Sequence, residues 1–335
     1  MNRAEKFLLQ DQFGRTIEYL RLSVTDRCNL RCLYCMPDEG IESIGHQRIL
    51  SYEEMTRVAA AAVRLGVRKI RVTGGEPLVR RGLVDFIRAL AELPGSPEIA
   101  LTTNGLLLAE YADPLKEAGL ARVNVSLDTL SEERFSRLTR RGGLQQVLDG
   151  LDAAMQAGLT PIKINMVPIQ GVNDDEIGDF ARLTLQRHCD IRFVEFMPVR
   201  SDLGYSAEQR VNEADILEAL QQVAPLLPVR HNHLDGPARM YRYAGGKGQV
   251  GVITAVSRHF CGDCNRLRLT ADGRLRPCLM SDDEINLLKV LRDGNPGDEE
   301  LEKILLNAAR SKPSGHQLGS GAAPLRHRTM KDIGG

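Results

Sequence analysis

Tryptophan is absent from this 335-residue chain, and aromatic residues of all kinds make up only 4% of it. That argues against a stacking platform for single-stranded nucleic acid. Neither sign of charge is in excess, because 44 Lys and Arg balance 44 Asp and Glu. A protein that gathers nucleic acid through a general basic field needs a surplus of cations, so no nucleic-acid partner is expected. The balance still permits a local basic pocket. No stretch reaches the roughly 18 uncharged apolar residues of a membrane span. The apolar run Phe7–Leu9 is too short for the core of a signal peptide. No membrane partner is expected, and the chain reads as cytoplasmic, where thiols stay reduced.

What the chain does have is cysteine, seven in all. In a reducing compartment clustered cysteines read as metal ligands or redox groups before disulfides. Cys28, Cys32 and Cys35 form C-x3-C-x2-C, and Cys261, Cys264 and Cys278 form C-x2-C-x13-C. Thiolates suit zinc or iron–sulfur clusters. Structural zinc normally takes four protein ligands. A 4Fe–4S cubane on three cysteines instead keeps one iron open to a small molecule. Zinc with a fourth ligand from elsewhere is the competing reading, and for the second triad His259 is the nearest such ligand. Cys189 stands alone and is read as a small apolar residue.

The length exceeds the usual ceiling for one hydrophobic core, so a large domain with a smaller one is expected. Strand-like runs at Ile17–Val24, Lys69–Thr73, Glu98–Thr103, Arg122–Ser126, Lys163–Val167 and Ile191–Phe196 alternate with amphipathic stretches. Ser51 to Glu54 is a capping-box signature before a stripe of Met55, Val58, Ala59 and Ala62. Further stripes are Leu83, Phe86, Ile87 and Leu90, then Val147, Leu148, Leu151 and Met155. Asn173 is expected to cap a helix carrying Ile177, Phe180 and Leu183. Such alternation implies parallel strands with crossover helices. It fits a barrel-like sheet and a doubly wound one equally. Beyond about residue 225 it stops. Leu234–Gly248 lacks the Walker A spacing and reads as a turn or loop. Short strands are expected at Val250–Ala255 and Arg266–Thr270, and helices at Asp283–Leu291 and Glu299–Ala309.

Several cations lie on the strands. Lys69 and Arg71 are two apart and share a face, as do Lys163 and Asn165, and Arg266 and Arg268. Arg21 lies in the first strand and Arg192 in the sixth. Convergence of such groups on one pocket suits a polyphosphate. After the second strand, Gly74 and Gly75 allow a ligand close to the backbone, and Glu76 can receive an ammonium group, though taken alone the segment reads as an ordinary βα turn.

The first triad, with Tyr34 before its last cysteine and Gly74-Gly75-Glu76-Pro77 after the second strand, resembles the radical S-adenosylmethionine (SAM) enzymes. Five motifs in order narrow the resemblance: Leu20-Arg21-Leu22-Ser23-Val24-Thr25-Asp26-Arg27-Cys28-Asn29, Arg71-Val72-Thr73-Gly74-Gly75-Glu76-Pro77, Phe193-Val194-Glu195-Phe196-Met197-Pro198, Phe260-Cys261-Gly262-Asp263-Cys264-Asn265-Arg266-Leu267-Arg268-Leu269, and Ile333-Gly334-Gly335. Along nearly its full length the chain resembles the molybdenum cofactor biosynthesis protein A family, the GTP 3′,8-cyclases. The pair Arg258-His259 is a local departure.

The resemblance implies an α/β fold: a partial (β/α)6 TIM-like barrel over residues 11–235, and a smaller C-terminal α+β region over 236–335 that carries a second cluster and the double-glycine tail. It implies two 4Fe–4S clusters, one on Cys28, Cys32 and Cys35 and one on Cys261, Cys264 and Cys278. SAM would contact Tyr34, Gly75, Ser126 and Met197. GTP would be bound by Arg21, Lys69, Arg71, Thr102, Lys163, Arg192, Arg266, Leu267 and Arg268. Arg266, Arg268, Gly334 and Gly335 would take part in the chemistry. The implied activity is that of a lyase: a deoxyadenosyl radical removes the ribose C3′ hydrogen of GTP, and C3′ joins guanine C8. The implied partners are an electron donor such as flavodoxin or ferredoxin, a downstream cyclic pyranopterin monophosphate synthase, and a second copy in a homodimer. Two other readings remain at this point. One is a peptide-modifying radical SAM enzyme. The other is a zinc-stapled binding module, which predicts no iron.

Overall fold

Among the described residues, twelve strands join in one sheet. The computed structural model describes residues 8–37, 39, 40, 43–197, 207–230, 235–316 and 328–334. In chain order the strands are β1 (Tyr19–Ser23), β2 (Lys69–Thr73), β3 (Glu98–Thr103), β4 (Arg122–Ser126), β5 (Ile162–Met166), β6 (Cys189–Val194), β7 (Leu226–Pro228), β8 (Arg239–Tyr243), β9 (Gln249–Ile253), β10 (Arg266–Leu269), β11 (Arg274–Arg276) and β12 (Ile285–Asn286). The order across the sheet is β12-β11-β10-β1-β2-β3-β4-β5-β6-β9-β8-β7. From β10 through β1–β6 to β9 every neighbour is parallel. The outer pairings on both sides are antiparallel. β1 to β6 follow one another without the reversal of a doubly wound sheet. The winding is that of a partial TIM-like barrel.

The helices form where the apolar stripes lie. Ser51 Oγ accepts from the Glu54 amide at 3.1 Å and Glu54 Oε2 accepts from the Ser51 amide at 2.7 Å, which closes the expected capping box. The helix Tyr52–Arg64 that follows buries Met55, Val58, Ala59 and Ala62. Helix Leu83–Ala91 buries Leu83, Phe86, Ile87 and Leu90, and helix Leu144–Gln156 buries Val147 and Leu151. These faces and the outward residues of the strands make one continuous core. Cys189 opens β6 inside that core, and burial, its largest influence, pushes its thiol up to about 11, as suits an inert apolar residue.

Three local expectations are corrected. Asn173 does not cap: its buried amide donates to Asp128 O at 2.7 Å and Val167 O at 3.0 Å and accepts from the Ile169 amide at 2.7 Å. The α-helix starts at Ile177, after a short 3-10 turn. The stretch read as a loop, apart from Leu234 (outside the described residues), contains β8, with the turn confined to residues between β8 and β9. The stretch Asp283–Leu291 yields β12, a single α-turn and the start of a π-turn in place of one helix.

Residues beyond 235 bracket the six-stranded barrel, with β9 beside β6 and β10 beside β1. This places the two triads. Cys28 lies past the exit of β1, whereas Cys264 lies just before the entry of β10, which runs parallel to β1. Cys278 follows β11, which is antiparallel to β10, and so returns to the same end as Cys264. The triads therefore stand at opposite ends of the strands. A five-residue strand spans about 17 Å, and the inward side chains of β1, β2 and β10 fill the interval.

Candidate active site

Alternation along each strand aims every second residue inward, and the register sets those residues side by side. One row runs Arg266–Tyr19–Lys69–Glu98, and the next runs Arg268–Arg21–Arg71. Further round, Thr102 lies beside Asn124 and Asn124 beside Lys163, while Ser126, Asn165 and Arg192 form a third row. Leu267 takes the other face, fully buried beside Leu20 in the core.

A cavity of ≈ 380 Å³ opens on these rows. Its walls carry Cys28, Cys35, Tyr34, Gly75, Ser126 and Met197 from the first group of expected residues. They also carry Arg21, Lys69, Arg71, Thr102, Arg192, Arg266 and Arg268 from the second, with Cys261, Cys264 and Cys278. Cys32 and Lys163 do not line it; Lys163 is 3.9 Å from Asp235, which does. Gly335 lies outside the described residues.

Lys69, Arg71, Lys163, Arg192 and Arg268 are all buried. Burial, reinforced by neighbouring cations, holds Arg21 and Arg192 down to about 10 and Lys163 down to about 7. Lys69 is lowered and Arg268 well lowered, again by burial first. Tyr19 sits among them and accepts a hydrogen bond from Arg71 Nε. Burial raises its hydroxyl, but Arg71, Arg21, Arg266 and Lys69 together bring it down to about 7. Among the described residues, the buried Nε atoms of Arg192 and Arg266, and Oδ1 of Asn124 and Asn165, have no hydrogen-bond partner. Buried cations crowded in this way await an anion.

The first triad follows from how its loop is seated. Gly75 N donates to Thr25 O at 2.7 Å and Glu76 N to Arg27 O at 2.7 Å. A Cβ on Gly75 would lie 2.3 Å from Arg27 O, and one on Gly74 would lie 2.8 Å from Thr25 O. The glycines therefore let the cysteine loop close on the end of β2, beyond any role in admitting a ligand. Glu76 does not face the cavity. It is 1% exposed, accepting from Leu78 N, Thr103 Oγ1 and Asn104 N, and burial pushes it up to about 7. The carboxylate braces two loops. Burial also pushes up Cys28, and pushes up Cys32 further with the help of Cys35, Asp128 and Cys28. What fits an iron centre is the donor set, three thiols within eight residues of one loop, two of them on the cavity wall. Tyr34 donates to Asp128, whose other oxygen takes the Val167 amide at 2.8 Å.

The tail reaches the cations. Gly334 ends helix Met330–Ile333 with φ 74°. Its carbonyl accepts from Arg21 at 3.2 Å and Arg268 at 3.4 Å. Arg328 anchors the segment on Asp272 and Glu284, both at 2.9 Å. A Cβ on Gly334 would lie 2.7 Å from Ser23 Cβ. With about 1–2 kcal/mol for a left-handed non-glycine, Gly334→Ala should unseat the carbonyl and lower turnover about tenfold while iron content stays unchanged. Steady-state assay with iron analysis checks this.

Sequence reasoning missed Tyr19, Asn124 and Asp128. Tyr19 had a signal, because it is two residues before Arg21 on one strand. Asp128 is visible only once the loop after β4 meets the first triad.

A radical SAM superfamily model matches residues 22–184, and a model described as Molybdenum Cofactor Synthesis C matches 189–318. A GTP 3′,8-cyclase of Geobacter sulfurreducens is 49% identical over 327 residues, covering 98% of this chain and 99% of that protein. One of Moorella thermoacetica is 49% identical over 327 residues, covering 98% and 100%. Among solved structures, Streptococcus suis SuiB bound to S-adenosylmethionine shares the fold, with TM-score 0.64, 14% identity and coverage of 89% of this chain and 67% of that one. The motifs spaced along the sequence and these near-full-length relatives converge: this chain belongs to the GTP 3′,8-cyclase family of the radical SAM superfamily.

Proposed function

We propose that the chain converts GTP to (8S)-3′,8-cyclo-7,8-dihydroguanosine 5′-triphosphate, a lyase reaction in molybdenum cofactor biosynthesis. The observation that carries this is the set of buried, mutually repelling cations between two cysteine triads. A triphosphate removes that repulsion and meets Arg forks and Lys point charges. A peptide substrate brings no comparable density of negative charge.

Cys28, Cys32 and Cys35 would hold the first 4Fe–4S cluster, with Tyr34, Gly75, Ser126 and Met197 around SAM. When bound, that pair supplies one-electron cleavage of SAM and hence a hydrogen-abstracting radical. Cys261, Cys264 and Cys278 would hold the second cluster at the guanine end. Arg21, Lys69, Arg71, Thr102, Lys163, Arg192, Arg266 and Arg268 orient GTP. In atom balance, one hydrogen leaves C3′, the C3′–C8 bond forms, and one electron and one proton return, so the product is an isomer of GTP. The electron comes from a low-potential donor of the flavodoxin or ferredoxin type, and a cyclic pyranopterin monophosphate synthase consumes the product. The test is anaerobic turnover with dithionite, SAM and GTP. Equal consumption of SAM and GTP with a new compound of GTP mass supports the reading; SAM cleavage with GTP left intact overturns it.

The pKa shifts add a pH prediction. A bound triphosphate favours Lys163 charged and Tyr19 neutral. In the free protein both titrate at about 7. Below that pH they already hold their protons. Above it, binding must take up protons, and affinity falls by up to about tenfold per pH unit per group. Calorimetry at pH 8 in two buffers of different ionisation enthalpy should show proton uptake, reduced in Tyr19→Phe and Lys163→Met. Absence of uptake contradicts it.

A further inference from the structure

Lys312 is only 2% exposed. Its ammonium donates to Arg266 O at 2.9 Å and to Pro277 O at 2.7 Å. Arg266 stands two residues after Cys264, and Pro277 stands immediately before Cys278. Of the three donors of a lysine ammonium, two are thus spent on the arms that carry these cysteines, and its charge bears on the Cys264 thiol.

The segment around Lys312 also reaches the third arm. A Cβ on Gly315 would lie 3.6 Å from Cys261 Cβ, which sets this segment directly against that cysteine. Arg15 binds Cys261 O at 2.6 Å and, on the same segment, Pro313 O at 2.5 Å and Ser314 O at 3.1 Å. One short stretch thus gathers all three cysteines.

Its charge is the second observation. Among the described residues no carboxylate forms an ion pair with Lys312. A buried ammonium is costly unless an anion compensates it. The ionisable groups it faces are the thiols of Cys264 and Cys261, with the cations Arg266 and Arg268 nearby.

We propose that Lys312 is the positioning residue of the second triad: it ties the Cys264 and Cys278 arms together and holds a positive charge against the cluster bound there. The inference rests on the reading that this triad carries a 4Fe–4S cluster. Reduction adds negative charge to a cluster, and local charge and hydrogen bonds to its sulfurs set its potential. An adjacent fixed ammonium therefore makes the second cluster easier to reduce.

The test compares the full-length protein with Lys312→Gln, Lys312→Met and Lys312→Arg after anaerobic reconstitution. Iron and sulfide are counted, and both clusters are titrated by electron paramagnetic resonance. Wild type carries roughly eight irons from two cubanes; about four would sink the two-cluster reading itself, a result separable from any variant. Lys312→Gln should lower the reduction constant of the second cluster at least tenfold, which is 59 mV for one electron, with the first cluster unmoved. Lys312→Arg should stay near wild type. Lys312→Met should lose the second cluster selectively or show the larger shift. Selective loss in both neutral variants, with retention in Lys312→Arg, supports the same role. Neutral variants that load fully and titrate at the wild-type potential overturn it, as does a Lys312→Arg shift equal to that of Lys312→Gln.

Discussion

Replacing Arg266 and Arg268 together by alanine should lower kcat/KM for GTP by roughly 10²–10⁴-fold. The two guanidinium groups lie side by side on β10 beside Tyr19 and Arg21 of β1. Each charge-assisted hydrogen bond removed costs about 1.5–3 kcal/mol, and about 1.4 kcal/mol is tenfold. The fold should tolerate the change, because Arg268 is a buried cation that its neighbours Arg21 and Arg266 repel. SAM cleavage should continue but become uncoupled from GTP consumption. The measurement is the ratio of 5′-deoxyadenosine to cyclised nucleotide. A ratio and kcat/KM equal to wild type would remove both residues from the site.

The largest effect is expected from the first triad. Converting Cys28, Cys32 and Cys35 to alanine should abolish SAM cleavage, because no other described group supplies thiolates beside Tyr34 and Gly75. Iron should fall from roughly eight to roughly four atoms per chain. Converting Cys261, Cys264 and Cys278 should also remove about four irons while sparing SAM cleavage, since that triad lies at the other end of the strands. Iron analysis with 5′-deoxyadenosine assay separates the two cases. Zinc persisting at both triads after anaerobic reconstitution would contradict both.

Much of this was legible because the barrel strands carry strong period-two signals and sit between clear helices. β2, β3 and β4 begin and end where their apolar runs do. Cysteine spacing needs no tertiary information at all. The failures have a common cause. β7, β11 and β12 span two or three residues at the sheet's antiparallel ends, too few for a period to show. Glu76 follows two glycines, as a ligand-facing residue does, but the loop turns it into the interior. The placement of the triads at opposite ends depends on β10 pairing with β1 across more than two hundred residues of chain, which no local pattern carries.

The most direct test of the central claim is the fate of the C3′ hydrogen. The reconstituted protein is reduced anaerobically with SAM and GTP bearing deuterium at C3′, and the 5′-deoxyadenosine is weighed by mass spectrometry. The account predicts one deuterium in 5′-deoxyadenosine, matched by a cyclised nucleotide that has lost it. Unlabelled 5′-deoxyadenosine, with deuterium retained in unchanged GTP, would contradict it.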